Sequence, residues 1–240
     1  MITAGGTVDE AFARAIGTPV KALAPLGERT LLDVALAACA GAGIDGVAVV
    51  GGPEVAAHLR GSGVRTIDAA EDGATNVARA LDAWPNEPFV YLTSDLPFAG
   101  ADALRDLIAR SDGLAVTMGL TSHAAFAARF PGAPPAGVTL RGERVVNACA
   151  FVFSAAGAAP VRAFAARFFD ARKSPLAMAR LLGPALLVRF ALRRLGVGEI
   201  ERYARTRLGI PLGAVRDCDP SLCYDVDTLD EYRYACSQLV

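Results

Sequence analysis

Three segments, far apart in the chain, combine residue types that can meet phosphate groups or a hard cation. The first is Thr3-Ala4-Gly5-Gly6-Thr7, followed by Lys21 on the far side of a loop that contains Gly17 and Pro19. Backbone amides of a glycine-rich turn approach phosphate oxygens closely because no Cβ intervenes, and a nearby lysine neutralises their charge. The spacing fits neither G-x-x-x-x-G-K-S/T nor G-x-G-x-x-G, so this is neither a P-loop nor a dinucleotide fingerprint. Taken alone, a Gly-Gly pair also serves as an ordinary turn.

The second segment is Thr93-Ser94-Asp95-Leu96-Pro97-Phe98, which ends the most apolar run, PFVYLT. A carboxylate at the carboxyl edge of a parallel sheet meets whatever binds there, and its oxygens suit Mg²⁺ bridging phosphates. The competing role for Asp95 is to cap the next helix. The third segment is Tyr224-Asp225-Val226-Asp227-Thr228-Leu229-Asp230-Glu231. It reads as a short strand running into a helix. In an extended backbone Asp225 and Asp227 point to one side and could share a cation. Asp227 or Thr228 could instead be the cap, with Asp230 and Glu231 favouring the positive helix end.

These segments need a frame. Buried-strand patterns at 46–50, 64–67, 88–93 and 114–118 alternate with helical patterns at 30–42, 55–60, 75–84 and 101–110. That order means crossover units and a mostly parallel sheet between helical layers, with ligands beyond the strands' carboxyl ends. After Gly119 the chain reads as a Pro/Gly-rich loop over 130–137, a hairpin (VTLRGERVV) turning at Gly142 and Glu143, and a strand over 147–153. Helices follow at about 161–172, 175–182, 185–195 and 199–208, then a strand near 213–216 and a closing helix from Thr228. No repeat or long linker divides the chain, so one domain spanning 1–240 is expected, with a helical acceptor or lid region at about 155–210.

Composition narrows the partners. The 240 residues are 53% hydrophobic and 20% charged, enough apolar material for a large core. With 24 Lys plus Arg against 25 Asp plus Glu, the net charge of −1 gives no global field for nucleic acid or an anionic membrane. The apolar stretch 177–192 is interrupted by Arg180, Gly183, Pro184 and Arg189, and Asp9 and Glu10 stand where a signal peptide would be basic and then apolar. Five cysteines without zinc spacing read as a reducing compartment, so a cytoplasmic location is expected. His58 and His123 stand singly and receive no role.

Together, the Gly-Gly turn, the lysine some fifteen positions on, GERTLLDVALAACAGAGIDGVAVVGG, TSDLPF and YDVDTLDEY resemble the MobA-like (molybdenum-cofactor guanylyltransferase-like) nucleotidyltransferases across almost the whole chain. The resemblance implies a Rossmann-like GT-A fold: a three-layer, mostly parallel, mixed α/β sheet flanked by helices. It implies that Ala4, Gly5, Gly6 and Lys21 hold a nucleoside triphosphate, with Thr75 and Asn76 against its base or ribose, although those two residues by themselves read as a plain helix start. It implies Mg²⁺ on Asp95 and Asp227, with Asp225 as helper, and Lys21, Asp95 and Asp227 as the catalytic set. The implied partners are a nucleoside triphosphate and a small phosphorylated acceptor, with no nucleic acid and no membrane; self-association stays open.

This chain departs from the family pattern in three places. Only Met1 and Ile2 precede the turn. The arginine of A-G-x-G-x-R-M-G-x-x-K has Arg14 as its candidate counterpart. Leu229 stands where proline often follows D-x-D-T. Arg172-Lys173-Ser174-Pro175 and Arg189, Arg193, Arg194, Arg202, Arg205 and Arg207 make the helical half basic, either as a solvated face or as the place for an acceptor phosphate. Two other readings remain: a GT-A glycosyltransferase using a nucleotide sugar, and a non-catalytic nucleotide-binding regulatory protein.

Overall fold

Alternate residues of the central strands bury themselves on opposite sides, which makes one sheet with two helical layers. The computed structural model describes residues 1–111, 113–171 and 174–238. Its strands are β1 (Ile2–Thr3), β2 (Pro25–Leu26), β3 (Arg29–Thr30), β4 (Ala48–Gly51), β5 (Arg65–Asp68), β6 (Phe89–Thr93), β7 (Val116–Ser122), β8 (Val138–Leu140), β9 (Glu143–Phe153) and β10 (Leu212–Arg216). The main sheet has eight strands in the order β10-β7-β9-β6-β1-β4-β5, with β8 on β9; β2 and β3 form a separate ribbon. Among the described residues, only the pairs made by β9 are antiparallel in the main sheet. The fold is the mixed, mostly parallel α/β sheet that the alternating pattern requires.

The helices are α1 (Glu10–Ile16), α2 (Leu31–Gly41), α3 (Pro53–His58), α4 (Gly73–Asp82), α5 (Ala101–Ala109), α6 (His123–Arg129), α7 (Ala158–Ala171), α8 (Pro175–Leu182), α9 (Pro184–Ala191), α10 (Val197–Tyr203) and α11 (Leu229–Ser237). On one face Ile2, Val49 and Leu92 join Leu31, Leu32 and Val34 of α2 and Leu104 and Leu107 of α5. On the other, Ala48, Val50 and Phe89 join Ala80 and Leu81 of α4 and Ala158 of α7, and Phe89 stacks on Phe153 at 4.7 Å. Thr30 starts α2 through a reciprocal capping box with Asp33. Among the described residues, no helix is long and apolar enough to cross a membrane.

Several local expectations are corrected. The stretch between the Gly-Gly turn and Lys21 is not all loop: α1 forms there, capped by Asp9, whose side chain accepts the Phe12 N–H at 2.8 Å, and it closes at Gly17 in the left-handed region. The two-residue β1 lies near the middle of the sheet, between β4 and β6, so few residues suffice where both neighbours supply partners. The hairpin turns at Arg141 and Gly142, both at positive φ, which is the two-residue turn that matches strand twist. The strand expected over 147–153 is the continuation of β9. The helix expected over 199–208 is α10 followed by a wider π turn at Ala204–Leu208. Residues 224–227 form no strand. The helix expected over 161–172 spans Ala158–Ala171; Arg172 and Lys173 of the basic run lie outside the described residues.

Candidate active site

The chain leaves β1 at Thr3 and turns at Gly5-Gly6, and α1 takes up the residues before it returns. On the return Val20 bridges Thr7, and the Lys21 N–H donates to the Gly6 carbonyl at 3.0 Å. This explains the spacing in sequence, because a short helix inserted between turn and lysine brings them back into contact. A Cβ on Gly6 would lie 3.4 Å from Lys21 Cε, and one on Gly5 would lie 3.3 Å from both Ala69 Cβ and Asn76 Nδ2. The tighter approach at Gly5 favours glycine, whereas the contact at Gly6 is an ordinary one to the end of a flexible side chain.

Asp95 lies two residues beyond the end of β6. Its backbone carbonyl accepts the Val226 N–H at 3.0 Å, and this bond holds the acidic carboxyl-terminal segment against the end of β6. The Lys21 ammonium then donates to both segments, at 2.5 Å to Asp95 Oδ2 and 2.6 Å to Asp227 Oδ1. The two carboxylate oxygens, 132 positions apart in sequence, are therefore within about 5 Å of each other. Asp227 is free to do this because Thr228 is the cap of α11. Glu231 accepts the Thr228 and Asp227 N–H groups at 2.7 and 2.8 Å, and Thr228 accepts the Glu231 N–H.

Burial works against the charge on Lys21, but the adjacent Asp95 and Asp227 carboxylates more than offset it and hold its pKa well above the usual lysine value. Burial, reinforced by the charges of Asp95 and Asp227, pushes Asp225 up to about 6. Burial, followed by the charge of the Asp225 carboxylate, pushes the Cys149 thiol on β9 up. Asp95 Oδ1 and Thr93 Oγ1 are buried and have no hydrogen-bond partner among the described residues. A buried, unpartnered carboxylate oxygen beside a second carboxylate is a donor set suited to a hard divalent cation. Among the described residues, however, no three His, Cys, Asp or Glu side chains are grouped as a ready metal site. Asp225 faces Cys149 while Asp95 and Asp227 share Lys21.

Beside this triad opens a cleft of about 350 Å³ lined by Thr3, Gly5, Gly6, Lys21, Asn76, Tyr91 and Asp95, among others. Thr3 and Tyr91 join their hydroxyls at 3.0 Å on its floor. Asn76 lines it, but its amide is spent on the backbone of Ala70 in two bonds, at 2.6 and 3.0 Å, so it shapes the wall. Four expected site residues do not line the cleft: Asp225 and Asp227, which stand beside it, and Ala4 and Thr75, which are engaged elsewhere. Ala4 is buried, with its N–H on the Val50 carbonyl, and Thr75 gives its N–H to the Asp72 cap of α4. Arg14 pairs with Glu10 on an exposed face. Tyr91 was not singled out from the sequence, although its period-two relation to Thr93 puts both on one strand face. Cys149 also escaped notice, because its neighbour Asp225 is distant in sequence. A larger cavity of about 590 Å³ lies between α4 and α7, where alanines and the Asp82–Arg162 ion pair bring no chemistry together.

The MobA-like NTP transferase domain model matches residues 1–195. No curated protein matches the sequence. Among solved structures, a hypothetical transferase from Thermus thermophilus is 27% identical, with a TM-score of 0.82 over 96% of this chain and 97% of its own. A 4-diphosphocytidyl-2C-methyl-D-erythritol synthase from Anaerococcus prevotii is 13% identical, with a TM-score of 0.57 over 99% and 95%. A Mycobacterium tuberculosis protein solved with manganese is 20% identical, with a TM-score of 0.52 over 98% and 96%. The last two share the fold.

Proposed function

Because this chain belongs to the MobA-like NTP transferase family, and is thus a nucleotidyltransferase, we propose that it moves a nucleoside monophosphate from a nucleoside triphosphate to a small phosphorylated acceptor, with Mg²⁺ required and pyrophosphate released. The observation that carries this reading is the Lys21 ammonium shared by Asp95 and Asp227 at the mouth of a cleft walled by Gly5 and Gly6. Asp95, Asp225 and Asp227 outnumber Lys21 by two charges once Asp225 is ionised. A triphosphate entering beside them would be repelled unless a divalent cation balanced the site.

Asp95 and Asp227 are the residues that would hold that cation, with Asp225 adding its charge beside them. When bound, Mg²⁺ supplies positive charge to phosphate oxygens and to the transition state. Lys21 turns its ammonium from the carboxylates to the triphosphate, and the Gly5 and Gly6 turn admits the phosphates without a Cβ in their path. Thr3 and Tyr91 present hydroxyls to the bound nucleotide. A phosphate acceptor is already an anion at neutral pH, so no side chain has to act as a strong base, and catalysis is positioning plus charge neutralisation. The acceptor phosphate is assigned to the basic helical half, where Arg193 and Arg194 line a cavity beside the Arg189–Glu199 ion pair.

The test is pyrophosphate release from each nucleoside triphosphate with Mg²⁺ and a mixture of sugar and alcohol phosphates. Release that needs the nucleotide, the metal and an acceptor supports the reading. Sugar transfer from a nucleotide sugar with no pyrophosphate would favour a glycosyltransferase, and nucleotide binding without either would favour a regulatory protein.

A further inference from the structure

Just upstream of Asp225, two thiols meet that the proposed reaction does not use. Cys218 and Cys223 are both buried, with their sulfurs 3.5 Å apart. The chain enters this turn through Asp217 at positive φ, anchors the Cys218 N–H on the Leu120 carbonyl at 3.0 Å, and makes one 3₁₀ turn at Pro220–Leu222. Cys218 Sγ also sits against Gly119, where an added Cβ would come within 2.9 Å of it. The pair is thus held together from both sides.

The geometry points to Cys218 and Cys223 as a reversible thiol–disulfide couple that controls how firmly the Tyr224–Asp227 segment is held. A disulfide needs sulfurs about 2.05 Å apart, so closure asks them to approach by roughly 1.5 Å. Cys223 is joined directly to Tyr224, whose ring packs on Phe98, Phe130 and Tyr234 and whose hydroxyl donates to the Glu231 carbonyl at 2.9 Å. A pull on Cys223 therefore loads the short stretch that ends at the Val226 N–H bond to Asp95.

The oxidant is a hydroperoxide. The Cys218 sulfur attacks one peroxide oxygen and, with hydrogen peroxide, one water leaves to give a sulfenic acid. The Cys223 sulfur then attacks the Cys218 sulfur, a second water leaves, and the S–S bond forms. Two thiols and one hydrogen peroxide become one disulfide and two waters. The hydrogen bond shared by the two sulfurs keeps the Cys218 thiol below the usual thiol range, which favours Cys218 as the sulfur that attacks first.

The experiment treats the reduced full chain with hydrogen peroxide and follows intact mass, linked peptides and deuterium exchange over 224–228. Expected are a loss of two hydrogens, a link between Cys218 and Cys223, and faster exchange over 224–228, all reversed by a thiol reductant. In Cys218→Ala the peroxide-induced change in exchange should vanish. In Cys223→Ser, Cys218 should be trapped as a sulfenic acid by a cyclic dione. Oxygen addition without a link, links through Cys39, Cys149 or Cys236, or equal exchange in both redox forms would overturn the proposal. None of these measurements needs metal, nucleotide or turnover, so their failure is separate from failure of the nucleotidyltransferase reading.

Discussion

Replacing Lys21 by methionine should move metal affinity and nucleotide affinity in opposite directions. The ammonium sits on both Asp95 and Asp227, so a cation that bridges these carboxylates must first displace it. The Asp95 contact dominates, because the two side chains are only 15% and 11% exposed, and a charged hydrogen bond of that kind contributes about 1.5–3 kcal/mol. The Asp227 partner is 67% exposed and adds about 0–1 kcal/mol. Without the lysine, Mn²⁺ alone should bind roughly 10- to 150-fold more tightly, the affinity equivalent of the Asp95 contact. The triphosphate loses a cationic partner of the same kind, so its affinity at saturating Mn²⁺ should fall by about 1.5–3 kcal/mol. Isothermal titration of the wild type and Lys21→Met, first with Mn²⁺ and then with triphosphate, reads both. A variant in which both affinities fall together, or neither moves, refutes the idea that Lys21 holds the cation's place and then serves the phosphates.

Other outcomes follow from the same geometry. Asp95→Asn should abolish metal-dependent turnover while far-ultraviolet circular dichroism stays native; full activity at limiting Mg²⁺ removes Asp95 from the site. Gly5→Val should weaken triphosphate binding, since even its Cβ would lie 3.3 Å from Ala69 and Asn76; unchanged affinity by titration would mean the wall gives way. Thr30→Ala breaks the capping box of α2 and should lower stability by about 1 kcal/mol in urea melts, with the slope unchanged. Burial raises the Asp33 pKa, but hydrogen bonds from His58 and Thr30 outweigh it and leave the carboxyl below its usual value. Its stabilising contribution is therefore present above the unfolded pKa and lost as pH falls through the folded one. Asp33→Asn should flatten the acid limb of the melting-temperature profile, and an unchanged limb would contradict this.

The features that local chemistry fixes were legible. Alternating strands and helices follow from hydrophobic spacing, Thr228 was one of two candidate caps for the closing helix, and the run PFVYLT puts Asp95 at a strand end. What escaped is set by contacts distant in sequence. Lys21 meets Asp227 across 206 positions, and no local pattern distinguishes that pairing from a capping role for Asp227. The segment holding Asp225 and Asp227 was read as a strand because it is extended, but its backbone makes one bond to Asp95 and no ladder. Glu10–Ile16 reads as loop in sequence because seven residues are too few for a clear helical period. Ala4 stands beside the glycines in sequence, yet its side chain turns inward while theirs would face the cleft, a distinction that depends on the sheet around β1.

The fate of the α-phosphate tests the central claim most directly. The protein is to be incubated with Mg²⁺, a mixture of sugar and alcohol phosphates, and nucleoside triphosphates labelled at either the α- or the γ-phosphorus. The account predicts that the α label appears in a diphosphate-linked product with the acceptor, that the γ label leaves in pyrophosphate, and that both events stop without metal and in Asp95→Asn. Transfer of the γ label to the acceptor, or retention of the α label in nucleotide while a sugar moves, would contradict it.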